Sequence, residues 1–229
     1  MIKFWTNPMS QPCRAVTSVL KLLEMEYEEV KTSLAGGTRT PEFLSTVNPR
    51  GKIPVIESEG SKLVESSAIL RYLCNLSPNG GNLYPKDDLI SRARIDSMLD
   101  INATAYRPAF SAANNHLCFI PTFYGGPEPT EEKAEEVTQG VHSQFEDIDR
   151  ILTDQKFIAI DTFSIADVQI YHEVLNVSTV CEISTEKYEN LHAWKAEVEK
   201  IPEITEIGGV FIKMFNKAKE RFLKAKEEK

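Results

Sequence analysis

Cysteine and histidine are scarce in this chain, and neither residue type is clustered. The four cysteines among 229 residues are Cys13, Cys74, Cys118 and Cys181, and no two of them form a Cys-x-x-Cys pair. Such wide spacing argues against a disulfide framework and against a zinc cluster. The four histidines are equally scattered, and we interpret them as structural or surface groups. No metal site is expected.

Basic and apolar runs are also missing. The net charge is −8, and no Lys/Arg run is interleaved with aromatic residues as a nucleic-acid surface requires. No apolar stretch approaches the length of a membrane span, and the chain begins with a strand pattern instead of a leader. We therefore expect a cytoplasmic protein that binds neither nucleic acid nor membrane.

The first 76 residues alternate between strand and helix patterns, which indicates an α/β unit. The predicted order is β-α-β-α-β-β-α, with the last two strands joined across Ser58-Glu59-Gly60 as an antiparallel hairpin. This order predicts a mixed four-stranded sheet with helices on its faces. The predicted strands are 2–7, 27–32, 55–57 and 62–64, and the predicted helices are 12–25, 41–47 and 65–76.

A turn-dense linker at 77–82 ends this pattern, and helical periodicity follows it. The sequence therefore predicts two domains, 1–78 and an all-helical 86–229. The charged tail, 217–229, is interpreted as a solvated helix end that frays. Predicted helices cover 87–117, 130–153 and 188–200, with two more beginning near 164 and 203, and 121–129 is a loop.

Ser10 stands where the first strand gives way to a helix, in the segment Ser-Gln-Pro-Cys-Arg-Ala. A helix N-terminus exposes unpaired N–H groups and favours an anion such as a thiolate. The spacing from Ser10 to Cys13 is that of a redox Cys-x-x-Cys motif with serine in the nucleophilic position. A plain N-cap serine is the alternative interpretation.

Three further segments are candidates for binding a peptide-like ligand. An Ile53-Pro54 bond precedes a strand; it is ordinarily trans, and a cis form would turn the Ile53 backbone towards an extended ligand. The pair Glu65-Ser66 at a helix start can receive an amine and a carboxylate, or serve only as a cap. Arg39 and Lys52 can neutralise a second carboxylate. A tripeptide with these end groups and a thiol aimed at Ser10 is glutathione.

These motifs resemble those of a cytosolic glutathione transferase, theta-class-like. The resemblance rests on the Ser10 segment, Val-Asn-Pro-x-x-Lys-x-Pro, the Glu-Ser pair, Tyr84-Pro85 and the helix-capping Ser164–Asp167, and it covers nearly the whole chain. It implies a thioredoxin-like first domain, an all-α second domain, a homodimer, and conjugation of glutathione to small, mostly apolar electrophiles with no cofactor. It makes Ser10 the catalytic hydroxyl. The residues it places at or near glutathione are Gln11, Arg39, Lys52, Ile53, Pro54, Glu65, Ser66 and Arg107.

Two features depart from the theta pattern. Arg39 stands where mammalian theta enzymes tend to have histidine, and the C-terminal extension is short and charged.

Two other functions are alternatives to glutathione conjugation. One is a thiol transferase or dehydroascorbate reductase that uses Cys13, and the other is a non-enzymatic protein with the same fold. Candidates for lining the electrophile site are Met9, Leu99, Tyr106, Phe110 and Phe123, although residues of these types more often belong to a core.

Overall fold

The computed structural model describes residues 1–227 and begins with a four-stranded mixed sheet. The spatial order is β2-β1-β3-β4; β1 and β2 run parallel, and the other two pairs are antiparallel. The predicted fold of this unit is confirmed. Its strands are β1 (Ile2–Thr6), β2 (Tyr27–Lys31), β3 (Val55–Ser58) and β4 (Ser61–Val64), and its helices are α1 (Gln11–Leu22), α2 (Pro41–Thr46) and α3 (Ser66–Leu76).

Helix α1 ends three residues earlier than the sequence pattern suggested. Glu24 adopts a left-handed conformation with φ 52°. Its N–H donates to Lys21 O at 2.9 Å, and the Met25 N–H donates to Leu20 O at 2.9 Å. This pair of hydrogen bonds is a Schellman motif, which satisfies the last carbonyl groups of a helix. Apolar periodicity continues past the point where the backbone turns, so it overestimates the length of α1.

The described residues after β4 form helices and connecting loops, with no further strand. A helical stretch from Leu89 to Phe123 contains two π-helical segments, 102–106 and 115–123. The α-helices here are α4 (Leu89–Ile101), α5 (Arg107–Asn114), α6 (Glu131–Ile151), α7 (Ile165–Cys181), α8 (Glu189–Val198) and α9 (Pro202–Glu227).

The first long helix extends beyond its predicted end. We expected it to stop near 117 and a loop to begin at Pro121, because proline removes a donor and clashes with the preceding turn. Instead, Pro121 lies inside the second π-helical segment, and Tyr124 N–H donates to Phe119 O, five residues back. The wider π turn accommodates the ring, so the loop begins after Phe123.

Helix α7 is the buried centre of the helical part, and it also packs against α1. Its predicted cap is confirmed. Ser164 Oγ accepts a hydrogen bond from Ala166 N–H, and the Ser164 N–H donates to Asp167 Oδ2 at 2.9 Å. Asp167 is fully buried and also accepts hydrogen bonds from Ile158 N–H and Trp194 Nε1. The capping box therefore joins three segments of the helical part.

The C-terminal helix α9 is more than a fraying tail. It continues to Glu227, and Phe222 stacks edge-on against Phe123 with 4.9 Å between ring centroids. Lys219 donates to Glu182 at 2.6 Å. The last two residues, 228 and 229, lie outside the described residues. Within residues 1–227, no helix is both long and apolar enough to span a membrane.

Candidate functional site

The register of the sheet brings four loops to one end. Trp5 pairs with Val55, and Val55 pairs with Val64. The end of β1, the start of β3 and the end of β4 therefore lie side by side. Because β2 runs parallel to β1, its exit loop starts at the same end. Pro54 directly precedes β3, Glu65 directly follows β4, and Ser10 lies four residues after the end of β1.

Ser10 occupies the N-cap position of α1. Its backbone is extended, with φ −88° and ψ 117°, and its side chain accepts no capping hydrogen bond from the first backbone N–H groups of α1. Ser10 therefore holds the predicted N-cap position without capping the helix through its side chain, and its role towards a thiol stays a prediction. Gln11, half-buried, is the first residue of the helix.

Cys13 is fully buried. Burial raises the pKa of its thiol above the ordinary value, although hydrogen bonds to Ser10, Asn7 and Thr6 act in the opposite direction. A buried thiol with a raised pKa has little thiolate at neutral pH, and the thiolate is the reactive form. This environment argues against redox chemistry at Cys13.

The segment from Asn48 to Pro54 is shaped by the Asn48 side chain. Its Nδ2 donates to Lys52 O at 2.8 Å, and its Oδ1 accepts from Arg50 N–H at 3.0 Å. Gly51 has φ +61°, and a Cβ atom there would lie 2.9 Å from Thr38 O and from Arg39 Nη1. Only glycine fits this position.

Three cationic side chains and a cis peptide bond therefore belong to this end of the sheet. Arg39 lies over Gly51, and Arg39, Arg50 and Lys52 are all exposed. The Ile53–Pro54 peptide bond is cis, and both residues are buried.

Glu65 occupies the N-cap of α3 in an unusual backbone conformation, with φ 66° and ψ 113°. A non-glycine residue in this region is strained, and such residues cluster at functional sites. Its carboxylate makes no cap hydrogen bond and instead pairs with Arg50, with 3.2 Å between Arg50 Nη1 and Glu65 Oε1. Both side chains are 64% exposed. Ser66, half-buried, begins the helix.

Arg107 lies in the helical part, at the start of α5. Its Nη1 donates to Glu173 Oε1 of α7 at 2.5 Å, and the Glu173 side chain is fully buried. The ion pair fixes Arg107 against α7. Its proximity to glutathione remains a prediction from the family resemblance.

Three residues expected to line an electrophile site belong to the core instead. Leu99, Tyr106 and Phe110 have no exposed surface. Tyr106 donates to Asp147 at 2.7 Å, and Phe110 stacks edge-on against Phe145. Of the expected set, Met9 and Phe123 are only partly buried. Three of the five candidates are therefore plain core residues.

Sequence reasoning missed Arg14, Arg50 and Glu173. Arg50 has a local signal, because it stands inside the Asn-Pro-Arg-Gly-Lys-Ile-Pro segment beside Lys52. Arg14 and Glu173 have no local sequence signal, because they pair with residues on distant helices.

Arg14 also lines a cavity of about 730 Å³ between α1, β2 and α9, which reaches the loop after β1 at Asn7 and Pro8. In the part of the chain that the structure describes, no three metal-binding side chains are grouped.

Comparisons with known proteins agree with this architecture of a thioredoxin-like domain followed by a helical domain. The protein-family model of the glutathione S-transferase N-terminal domain matches residues 1–75, and the family model of the C-terminal domain matches residues 114–206. Glutathione S-transferase theta-3 from Mus musculus is 32% identical over 229 residues, covering 99% of this chain and 90% of that protein. The chain therefore belongs to the glutathione S-transferase family.

Solved structures extend the similarity. Human glutathione S-transferase T1-1, apo form, has a TM-score of 0.81 and 27% identity, covering 99% of this chain and 91% of that one. A delta-class glutathione transferase from Nilaparvata lugens has a TM-score of 0.83 and 25% identity, covering 97% and 100%. The protein is a glutathione transferase that resembles the theta class over its full length.

Proposed function

We propose that this enzyme activates the thiol of glutathione through the Ser10 hydroxyl and transfers the thiolate to small, mostly apolar electrophiles, a detoxification reaction. The observation that carries this proposal is the placement of Ser10. Its hydroxyl does not cap α1, and it stands at the helix N-terminus, at the same end of the sheet as Glu65 and the Ile53–Pro54 bond.

The proposed mechanism is stabilisation of a thiolate. A free thiol has a pKa of about 8.5, so a few per cent is ionised at neutral pH. A hydrogen bond donated by Ser10 to sulfur, together with the partial positive charge of α1, favours the charged form. Lowering the thiol pKa by two takes about 2.7 kcal/mol, within the range of these two effects.

Bond changes follow from this arrangement. The thiol proton leaves to solvent, the sulfur lone pair forms the new bond to an electrophilic carbon, and the leaving group departs with its bonding electrons. Ser10 acts as a hydrogen-bond donor and forms no covalent bond.

The two ends of glutathione are proposed to bind on opposite sides of the thiol. The Glu65 carboxylate receives the ammonium group, with Ser66 at the neighbouring carboxylate, and Arg39 and Lys52 neutralise the glycine carboxylate. The remaining proposed contacts with glutathione come from Gln11, the Ile53 backbone, Pro54 and Arg107. We propose that glutathione is the co-substrate and that no metal or other cofactor takes part.

The test compares Ser10→Ala with Cys13→Ser, each assayed with a conjugation substrate and a disulfide substrate. Loss of the hydroxyl is expected to raise the pKa of the bound thiol and reduce conjugation about a hundredfold, the usual effect of losing one transition-state donor. Glutathione affinity should change little, because the end groups of the ligand remain bound. Cys13→Ser should leave conjugation intact.

Other outcomes favour the rival functions. Activity lost with Cys13→Ser and retained with Ser10→Ala identifies a thiol redox enzyme. Background rates in both variants and in the unmodified protein, without glutathione binding, indicate a non-enzymatic protein.

A homodimer in the cytoplasm is also proposed. Leu89 and Ile90, at the start of α4, are 73% and 67% exposed, and such apolar surface favours a protein interface. All four cysteines are free thiols, which suits a reducing compartment. Light scattering at micromolar concentration should give the mass of two chains; the mass of one chain would contradict the dimer.

A further inference from the structure

Arg14 is a buried arginine whose hydrogen bonds cross from the sheet domain to the helical domain. It is 1% exposed. Its Nη1 donates to Pro8 O at 2.9 Å, and its Nη2 donates to Asn176 Oδ1 at 2.9 Å and His172 O at 3.3 Å. The guanidinium carbon lies 3.8 Å from the centre of the Phe211 ring. One side chain thus joins the loop after β1 to α7 and α9.

The loop that Arg14 holds, residues 7–10, is the one that ends at Ser10. Asn7 secures its other side, because Asn7 Nδ2 donates to Thr32 O at 2.9 Å. Asn7 also accepts hydrogen bonds from Met9 N–H and Ser10 N–H, at 2.9 and 3.0 Å. Asn7 therefore shapes the loop and ties it to the strand side, and Arg14 ties it to the helical domain.

An arginine in this position is costly, since burying a charge removes its hydration. Burial lowers the pKa of Arg14 to about 9, and Glu173 acts in the opposite direction. The side chain is therefore charged at neutral pH. An apolar residue would pack there without the desolvation penalty. The planar guanidinium has donors on two separate terminal nitrogens, and it uses one for a loop carbonyl and the other for two acceptors on α7.

We propose that Arg14 is a positioning residue for thiol activation. By fixing the Pro8 carbonyl against α7, it sets the place of the Ser10 hydroxyl relative to the glutathione sulfur. This inference rests on the proposed role of Ser10. A hydrogen bond that stabilises a thiolate is sensitive to small displacements of the donor, so a loosened loop would weaken it.

Three variants separate geometry from charge and from general stability. Arg14→Lys keeps the positive charge but replaces the planar fork with a single ammonium. Asn176→Ala removes the side-chain acceptor on α7 and leaves Arg14 in place. Lys21→Met is the matched control: Lys21 also lies on α1 and bridges to α9, through a 2.8 Å ion pair with Glu206 at the surface.

The measured quantities are the pKa of the bound glutathione thiol, from thiolate absorbance against pH, and kcat against pH. Arg14→Lys is expected to raise the thiol pKa by about 1 and to lower kcat about tenfold below neutral pH. The rate should return to that of the unmodified enzyme at pH above the raised thiol pKa. Asn176→Ala should move both quantities in the same direction by less, and Lys21→Met should move neither.

The inference is overturned if Arg14→Lys lowers the denaturant midpoint while the pKa of the bound thiol stays unchanged, because Arg14 would then be only structural. If Arg14→Lys does not fold, an unchanged thiol pKa in Asn176→Ala overturns it equally. Ser10→Ala, measured in the same way, separates the two proposals. An unchanged thiol pKa in Ser10→Ala refutes the role of the serine, and with it this inference. A raised pKa there and unchanged values in the Arg14 and Asn176 variants refute the positioning role alone.

Discussion

The backbone conformation and the side-chain contacts of Glu65 both indicate a role in ligand binding. Its strained conformation leaves the carboxylate free of its own helix, with exposed Arg50 as its partner. We expect Glu65→Ala to weaken glutathione binding about tenfold, since the ammonium group of the ligand loses its charged acceptor. Isothermal titration calorimetry measures this change directly.

Glu59 provides the control for that measurement. It is also an exposed glutamate with positive φ, 51°, but it lies in the hairpin turn at the opposite end of the sheet. Glu59→Ala should bind glutathione as the unmodified enzyme does. Equal losses in the two variants would mean that backbone strain, and not the position of the carboxylate, controls affinity.

His172 is a buried histidine that gives stability a specific pH dependence. Its Nε2 lies 2.8 Å from Ser18 Oγ. Burial, and after it the charge of Arg14, holds the pKa of His172 well below 6.5. Below pH 6.5 the unfolded chain takes up a proton that the folded protein does not, so stability falls as the pH drops towards the folded-state pKa. Above pH 6.5 both states are neutral and this effect vanishes.

The His172→Gln variant tests that dependence. Between pH 6.5 and the lower pKa, the unmodified protein should lose about 1.4 kcal/mol more per pH unit than the variant. Urea unfolding at several pH values gives both slopes. Parallel slopes would show that His172 is protonated in the folded protein.

Two of the residues that sequence reasoning missed, Arg14 and Glu173, have partners that are remote in the sequence. Arg14 bonds to residues 158 and 162 positions away. Local pattern places Arg14 on a helix between Cys13 and Ala15, and it carries no information on which distant helix will pack there. Ser10, Glu65 and Lys52 were found because their chemistry is visible in short segments.

At the level of elements, the cap of α7 is the clearest case for a large stability effect. Asp167→Ala leaves buried donors on Ile158, Ser164 and Trp194 without their acceptor, so we expect a loss of about 3 kcal/mol or more in the free energy of unfolding. Folded protein should keep its turnover. An ordinary exposed N-cap contributes about 1–2 kcal/mol.

Asp88 offers a matched comparison. It caps α4 by accepting hydrogen bonds from Ile90 N–H and Ser91 N–H, and it is exposed to solvent. Asp88→Ala should lower the denaturant midpoint less than Asp167→Ala. Equal midpoints for the two variants would show that the buried contacts of Asp167 add nothing to the cap.

Element order was predictable, and element ends were less so. Alternation of apolar residues and turn signals predicted all four strands in order. The π-helical segment around Pro121 and the contact of Phe222 with Phe123 were not predictable, because both depend on packing between α9 and the end of the first long helix. Proline is a stop signal only where the backbone cannot widen to accommodate it.

At the scale of the whole molecule, the sheet sets the positions of the binding loops. The loop ending at Ser10, the Asn48–Pro54 segment and Glu65 are brought to one end by the pairing of β1, β3 and β4, and the ion pair between Arg50 and Glu65 joins the last two. The helical domain supports this end of the sheet through α7, which packs against α1. Neither a helix nor a loop of this protein can form the proposed glutathione site alone.

That dependence makes glutathione a reporter of sheet integrity. A ligand that binds the paired strands and not the open chain stabilises the sheet by an amount that grows with the logarithm of its concentration. During unfolding in urea, retention on immobilised glutathione should disappear together with the fluorescence signal of Trp5 in β1, measured in a Trp194→Phe variant. A Trp5→Phe variant reports on Trp194 in α8 and so on the helical domain. If the helices come apart first and retention persists, the four loops form a site that outlasts the domain beside it.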